Sequence, residues 1–208
     1  SVPPLIKGQS AAYDMLNRSK RSIMVDLKTP YGIQIIKSLV KEYDIIIEQF
    51  RPGVMDRLGV GYDTLKQINP KLIYCALTGY GQTGKLKDRA GHDINYLARS
   101  GIANQMGKKK NPWPIQAADV GGGSFHALVG ILSAVIHREK TGEGQLVDVS
   151  MTDGAMALNA LNIAHYLATD ENPKQDSGIL DGGTFYDYYE TLDGKYLSVG
   201  SLEPKFWK

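Results

Sequence analysis

Short β-branched runs alternate with helical patterns along the first third of the chain, and this alternation constrains the fold most. Ser22–Leu27, Asp44–Glu48 and Leu72–Leu77 each have the length and composition of a strand. Pro30 opens a helical pattern between the first two runs, and Tyr62–Ile68 forms another between the last two. A strand, helix, strand, helix, strand order predicts a parallel sheet with right-handed crossovers. Because Asp44–Glu48 is apolar without alternation, we expect it to be buried on both faces.

The second half of the chain continues this pattern and then changes. A glycine run at 121–123 leads into a predicted helix over Ser124–Lys140, which a strand over Gln145–Ser150 and a helix over 152–168 follow. Phe185–Glu190 and Lys195–Gly200 predict a hairpin across an Asp-Gly turn. We therefore expect an α/β protein in which residues 1–170 form part of a large domain and 171–208 begin a smaller α+β domain.

Composition excludes several classes of protein. The 208 residues include 24 Lys and Arg against 22 Asp and Glu, a net charge of +2, and 42% of them are hydrophobic. This balance excludes a disordered tail and gives no basic surface for nucleic acid. The single cysteine, Cys75, excludes an internal disulfide framework and a cysteine-rich metal site, and it favours an intracellular compartment. No apolar run reaches the roughly 20 residues that a membrane span needs.

The glycine motif at 79–84 follows a predicted strand, as a dinucleotide-binding loop would. A true dinucleotide fingerprint opens an apolar helix, whereas the residues that follow here are the charged Lys85, Lys87, Asp88 and Arg89. The sequence therefore predicts neither a nicotinamide nor a flavin site. A glycine loop of this kind can still let the backbone approach a ligand closely.

Three ionisable residues are candidates for chemistry, and each has a structural alternative. His92 precedes a predicted helix within Ala90–Tyr96, where capping is an ordinary role. Asp119 stands just ahead of the glycine run, where a helix N-terminus favours a carboxylate. Asp153 starts a helix after a strand, a common place for an acidic residue. The four histidines show no metal-ligand spacing, so no metal site is predicted.

A set of collinear motifs gives these residues a context. The chain resembles the family III CoA-transferase/racemase superfamily (the CaiB-BaiF superfamily), and within it the racemases that act on 2-methylacyl-CoA. The matching stretches, in chain order, are Val25–Lys28, Gln49–Val54, Arg57–Gly59, Leu77–Gly84, Ala90–Tyr96, Ala118–Gly123, Gly142–Val149, Leu180–Gly183 and Leu202–Phe206.

The resemblance implies two chemistries on one fold. The racemases carry a Gly-His-Asp-Ile-Asn-Tyr motif, which is intact at 91–96. It makes His92 and Asp119 the expected catalytic pair, with Glu203 supporting them. The transferases use an aspartate as a covalent acyl carrier, and Asp153 is the alternative nucleophile that the resemblance offers. A third alternative is an inactive or truncated protein that binds acyl-CoA.

The resemblance also implies a CoA-binding path and an assembly. The expected CoA and substrate contacts are Val25, Asp26, Leu27, Lys28, Gln49, Phe50, Arg51, Arg57, Gly91, Asp93, Ile94, Asn95 and Tyr96. Arg51 and Arg57 are the expected phosphate ligands, because a guanidinium grips phosphate in a fork, although Arg57 could equally be a surface helix charge.

The expected partner is an acyl-CoA thioester, with CoA as part of the substrate, no metal and no separate cofactor. The family fold is a parallel Rossmann-like sheet with flanking helices in an interlocked homodimer. The expected location is peroxisomal or mitochondrial in a eukaryote, and cytoplasmic in a bacterium.

Overall fold

A computed structural model describes residues 3–105, 114–180 and 184–207 of the chain. Its strands are β1 (Leu5–Ile6), β2 (Gln9–Ser10), β3 (Ile45–Glu48), β4 (Ile73–Thr78), β5 (Leu146–Ser150), β6 (Asp187–Glu190) and β7 (Tyr196–Val199). Its α-helices are α1 (Ala11–Leu16), α2 (Pro30–Leu39), α3 (Val54–Arg57), α4 (Tyr62–Ile68), α5 (Asp93–Arg99), α6 (Ile102–Gln105), α7 (His126–Thr141), α8 (Met151–Leu158) and α9 (Ala160–Thr169). A π-helical segment, Ala117–Phe125, runs directly into α7, and a short 3₁₀ helix spans Pro204–Trp207.

The central sheet of the described chain is parallel and three-stranded, which confirms the prediction of an α/β fold with a parallel sheet. Its order is β3-β4-β5, with Ile47 opposite Cys75 and Cys75 opposite Val147. Carboxyl ends of parallel strands meet at one edge, and the loops that follow them are the usual place for a ligand site in an open α/β sheet.

Helices cover the two faces of this sheet with separate cores. On one face, Tyr74 and Ala76 pack with Val60, Leu65 and other residues of the α2–α4 region. On the other face, Ile73, Cys75, Val147 and Val149 pack against Ala127, Ile131 and Ala134 of α7. Burial of this apolar surface on both sides of β4 makes it the most deeply buried strand.

Two predictions about strands are wrong. Residues 22–27 form no strand, and Met24 is 99% exposed, because no neighbouring strand in the described chain supplies a hydrogen-bonding ladder. Strand β3 exists, but Ile45 and Ile47 are exposed, because β3 lies at the edge of the described sheet and α7 packs over β4 and β5. The β-branched composition therefore predicts the presence of the strand correctly, but the predicted burial of both its faces is wrong.

The glycine run lies inside a helix, not ahead of one. The helix begins at Ala117, so Asp119 lies in its first turn, and Gly122 packs against backbone of α8. The sequence predicts one apolar stripe on this helix, formed by Phe125, Leu128, Val129, Leu132, Val135 and Ile136. All of these except Val135 are exposed, and Val135 packs with the buried face of Ala127, Ile131 and Ala134. A helix that is apolar on both sides has the pattern of one that is covered on both sides.

By length and composition this 117–141 helix could cross a bilayer, a test that core helices of globular proteins also pass. The helix predicted over 152–168 is divided into α8 and α9. The division falls at Asn159, whose side-chain amide donates to the Ser100 carbonyl at 3.3 Å. The hairpin is confirmed: β6 and β7 pair antiparallel, and Gly194 takes a φ of +75° in the turn.

The contact between the 117–141 helix and α8 requires glycine on both sides. A Cβ atom built on Gly122 would lie 2.6 Å from the Ala155 nitrogen, and one built on Gly154 would lie 2.7 Å from the Gly122 carbonyl carbon. Both distances are shorter than van der Waals contact, and the atoms concerned are backbone, which cannot rotate away.

We expect Gly154→Ala to lower the free energy of unfolding by about 1–3 kcal/mol, because overpacking outweighs the ~1 kcal/mol that alanine gains in helix propensity. Urea denaturation measures the change. Gly121→Ala is the matched control, since its new methyl group would meet the terminal Cδ1 atom of the exposed Leu158 side chain at 3.0 Å. Equal or greater stability of Gly154→Ala would contradict this packing.

Candidate active site

A cleft of about 610 Å³ opens where the chain leaves the carboxyl ends of β3 and β4. Its walls come from the turn after β3, the end of β4, the loop that leads into α5, the start of the π-helical segment and the start of α8. The lining residues are Gln49, Phe50, Arg51, Pro52, Leu77, Thr78, Gly79, Lys87, Arg89, Ala90, Gly91, His92, Asn95, Tyr96, Asp119 and Met151. The cleft therefore contains both members of the expected catalytic pair.

His92 is the N-cap residue of α5, and the structural and functional interpretations of it are compatible. Its backbone N–H donates to Asn95 Oδ1 at 3.0 Å, and its carbonyl accepts from the Asn95 N–H at 2.8 Å. These bonds fix the backbone at the helix start, while the His92 side chain is exposed to the cleft. A neutral imidazole that is exposed in this position can accept a proton from a bound molecule.

Asp93 holds Asp119 in place. Its Oδ1 atom accepts two backbone N–H groups, from Ala118 at 2.8 Å and from Asp119 at 2.9 Å. These groups have no partner within their own helix, so the Asp93 carboxylate caps the 117–141 helix from the neighbouring α5. Gln116 Nε2 donates to Asp119 Oδ2 at 3.2 Å, which orients the Asp119 carboxyl.

The environment of Asp119 favours its protonated form. Burial raises the pKa of Asp119 above its ordinary value, and the Asp93 carboxylate raises it further. The hydrogen bond from Gln116 and the charge of His92 act in the opposite direction, but the net shift is upward. Because the charge of His92 affects the pKa of Asp119, the two expected catalytic groups lie within electrostatic range of each other.

Three cations line the cleft: Arg51, Lys87 and Arg89. Arg51 follows a turn that Glu48 stabilises, since Glu48 Oε2 accepts the Phe50 N–H at 2.7 Å. The sequence analysis does not identify Lys87 and Arg89 as candidate ligands, because in the sequence their charges argue only against a dinucleotide-binding loop. Their position in the loop after a buried strand was the signal that could have identified them.

The structure divides the residues expected to contact CoA. Gln49, Phe50, Arg51, Gly91, Asn95 and Tyr96 line the cleft. Val25, Asp26, Leu27, Lys28, Arg57, Asp93 and Ile94 do not. The first four form the turn before α2, where Asp26 Oδ1 accepts the Lys28 N–H at 2.9 Å, and Arg57 is exposed at the end of α3.

Glu203 and Asp153 lie outside this cleft. Glu203 is exposed just before the 3₁₀ helix, and its supporting role stays a prediction. Asp153 is exposed in the first turn of α8 and lines a second cleft of about 670 Å³ with His126, Asp148 and the 80–86 loop. The described chain therefore separates the two aspartates that the sequence offered for different chemistries. Residues 181–183 of one matching stretch lie outside the described residues.

The glycine segments at 81 and 121–123 do not line this cleft. In the sequence they are candidates for backbone N–H groups that stabilise a developing negative charge. The Gly81 N–H donates to Thr78 Oγ1 at 2.9 Å, and Gly121–Gly123 lie within the helix that packs on α8. The nearby Gly79 carbonyl accepts the Thr152 hydroxyl at 2.7 Å. For Gly122 the structure shows close packing against the backbone of α8.

The chain is similar in sequence to known proteins with two different named activities. Alpha-methylacyl-CoA racemase from Homo sapiens is 41% identical over 203 residues, which are 94% of this chain and 53% of that protein. Succinyl-CoA:glutarate CoA-transferase from Homo sapiens is 34% identical over 96% of this chain and 46% of its own length. The chain thus spans about half the length of the curated relatives it matches.

Solved structures agree with the fold. A CAIB/BAIF family protein from Brucella suis matches with a TM-score of 0.76 and 38% identity over 82% of this chain and 46% of that chain. A protein from M. tuberculosis matches with a TM-score of 0.75 and 34% identity over 92% of this chain and 50% of its own. The model of CoA-transferase family III matches residues 1–208. The chain therefore belongs to CoA-transferase family III.

Proposed function

We propose that this chain carries the proton-transfer site of a racemase that inverts 2-methylacyl-CoA thioesters. The observation that supports it is the meeting of His92 and Asp119 in one cleft lined by cations. The similarity to a named racemase at 41% identity supports the same chemistry.

The reaction needs two groups on opposite faces of one carbon. The hydrogen next to a thioester carbonyl is acidic, because the enolate that forms is stabilised by the carbonyl. His92 as a neutral imidazole removes this proton from one face, and Asp119 as a carboxylic acid delivers its own proton to the other face. After one turnover His92 is protonated and Asp119 is ionised, so the opposite enantiomer is processed by the reverse steps.

The cations of the cleft bind the phosphates of CoA. Its phosphates carry negative charge, and Arg51, Lys87 and Arg89 at the cleft attract them without a metal. Because they are exposed, each contributes on the order of 1 kcal/mol. Phe50 and Met151 add apolar wall to the same cleft.

We expect His92→Asn and Asp119→Asn each to lower the racemisation rate by about 100-fold or more, because each removes one of two proton-transfer groups. The assay follows inversion of configuration at C2, starting from one pure enantiomer of a 2-methylacyl-CoA, with the complete protein. Asp153→Asn is the matched control, since Asp153 lies in the other cleft. Inversion at the normal rate in both His92→Asn and Asp119→Asn would rule out the proposed function.

We expect Arg89→Ala to raise the KM for acyl-CoA about fivefold while leaving kcat within twofold, because the phosphates are far from the reacting carbon. Arg57→Ala is the control that removes an arginine outside the cleft. Steady-state kinetics on the complete protein measures both. A larger effect from Arg57 than from Arg89 would contradict this placement of the phosphates.

We expect Asp93→Asn to lower the pKa of Asp119. The negative charge of Asp93 disfavours ionisation of Asp119, so its removal favours the ionised form, while the asparagine oxygen can still accept the two N–H groups. The limb of the pH–rate profile that belongs to Asp119 then moves to lower pH. A movement to higher pH, or none, would contradict the coupling of the two carboxylates.

CoA transfer is the second candidate, and relatives named as CoA-transferases support it. Among the described lining residues of the catalytic cleft, Asp119 supplies the carboxylate, whereas Asp153 lies elsewhere. A transferase would move CoA to an added carboxylic acid through an acyl-aspartate that hydroxylamine traps. We expect no such trapping and no dependence on an acceptor acid; acceptor-dependent turnover without C2 exchange would favour the transferase. Acyl-CoA binding with neither reaction would favour a binding protein.

A further inference from the structure

The peptide unit that joins Gly91 to His92 is held at both of its polar atoms. The Tyr96 hydroxyl donates to the Gly91 carbonyl at 2.7 Å, and Asn95 Oδ1 accepts the His92 N–H at 3.0 Å. Both side chains come from α5, the helix that His92 begins. The backbone that carries the His92 ring is thus fixed by the next turn of its own helix.

The Tyr96 ring has little freedom to move. It is 7% exposed and packs edge-on against Tyr80, with ring centroids 5.2 Å apart. A Cβ atom built on Gly91 would lie 2.6 Å from Tyr96 Cε1, and one built on Gly79 would lie 2.5 Å from Tyr96 Cζ. Glycine at these two positions therefore makes room for the ring, which in turn aims the hydroxyl at Gly91.

This geometry adds a second role to the one that the resemblance implies. Asn95 and Tyr96 line the cleft, where contact with CoA stays a prediction, and Asn95 Oδ1 and the Tyr96 hydroxyl are hydrogen-bonded to the Gly91–His92 peptide. The Tyr96 hydroxyl hydrogen is used by a backbone carbonyl, and Asn95 Oδ1 by a backbone N–H. What these side chains fix is the position of His92.

We propose that Asn95 and Tyr96 are positioning residues that hold His92 against one face of the substrate's C2 carbon. This inference rests on the proposed function, in which His92 and Asp119 each serve one face. A misplacement of about 1 Å in a reacting group costs up to about 100-fold in rate. Loss of the hydrogen bonds of Asn95 and Tyr96 therefore impairs the face served by His92. It spares the face served by Asp119, whose own hydrogen bonds, to Asp93 and Gln116, do not involve Asn95 or Tyr96.

The test measures exchange of the C2 hydrogen with retention of configuration, separately for each enantiomer of a 2-methylacyl-CoA in heavy water. Exchange with retention needs a base on one face alone, so the two faces are measured independently. His92→Asn in the complete protein identifies the enantiomer whose hydrogen faces His92.

We expect Tyr96→Phe to slow exchange of that enantiomer about tenfold, because the partly buried Gly91 carbonyl loses its hydrogen bond and His92 is held less well, and to change the other less than twofold. KM stays within twofold. Tyr80→Phe is the matched control, because it keeps the ring that packs against Tyr96 and removes a hydroxyl that is not one of the two groups bonded to the Gly91–His92 peptide. Equal slowing of both enantiomers, as general destabilisation would produce, overturns the proposal.

A second pair of variants tests the hydrogen bond of Asn95. Asn95→Asp keeps an oxygen that can accept the His92 N–H, whereas Asn95→Leu removes it. We expect the leucine variant to show the same one-sided slowing and the aspartate variant to retain most of the exchange. If Asn95→Leu does not fold, Tyr96→Phe and its Tyr80 control still decide the question.

The outcomes separate this inference from the proposed function. If the unmodified protein exchanges neither enantiomer, the racemase proposal fails and the inference fails with it. If the protein exchanges both and His92→Asn abolishes one, the racemase proposal stands. In that case, full exchange by Tyr96→Phe overturns the positioning role alone.

Discussion

The candidate site depends on one hydrogen-bonded contact between two helices. Asp93 Oδ1 accepts the backbone N–H groups of Ala118 and Asp119, at 2.8 and 2.9 Å, and so joins the start of α5 to the start of the 117–141 helix. Because His92 immediately precedes Asp93, this contact brings together two side chains that are far apart in the sequence. The same carboxylate disfavours ionisation of Asp119, so one group fixes both the geometry and the charge of the site.

Close packing around this contact holds α5 and the 117–141 helix in place. Gly122 and Gly154 let the 117–141 helix approach the backbone of α8, and Gly79 and Gly91 make room for the Tyr96 ring. Thr152 at the start of α8 binds the Gly79 carbonyl, which connects α8 to the end of β4. The same α8 carries Asp153 to the second cleft, so the packing that assembles His92 with Asp119 also keeps Asp153 apart from them.

Periodicity and turn chemistry predicted the local structure well and its surroundings less well. Three local predictions are confirmed, because the signal for each lies within the segment itself. They are the apolar run of β4, the start of α2 at Pro30 and the Asp-Gly turn of the hairpin. The exposure of Ile45 could not be read from its neighbours, because it depends on which elements lie beside β3. Motif resemblance paired His92 with Asp119, and both line one cleft, while their catalytic role stays a prediction. The resemblance could not show that Val25–Lys28 and Arg57 lie away from that cleft. Lys87 and Arg89 were visible only as a charged run until the fold placed them at the carboxyl edge of the sheet.

The central claim is that His92 and Asp119 act on opposite faces of one carbon within one cleft. The most direct test is the stereochemical pattern of C2 exchange with retention, measured for each pure enantiomer with His92→Asn and Asp119→Asn. The account predicts a complementary result, in which each variant loses exchange of one enantiomer and keeps exchange of the other. Loss of the same enantiomer in both variants, or of neither, would contradict it.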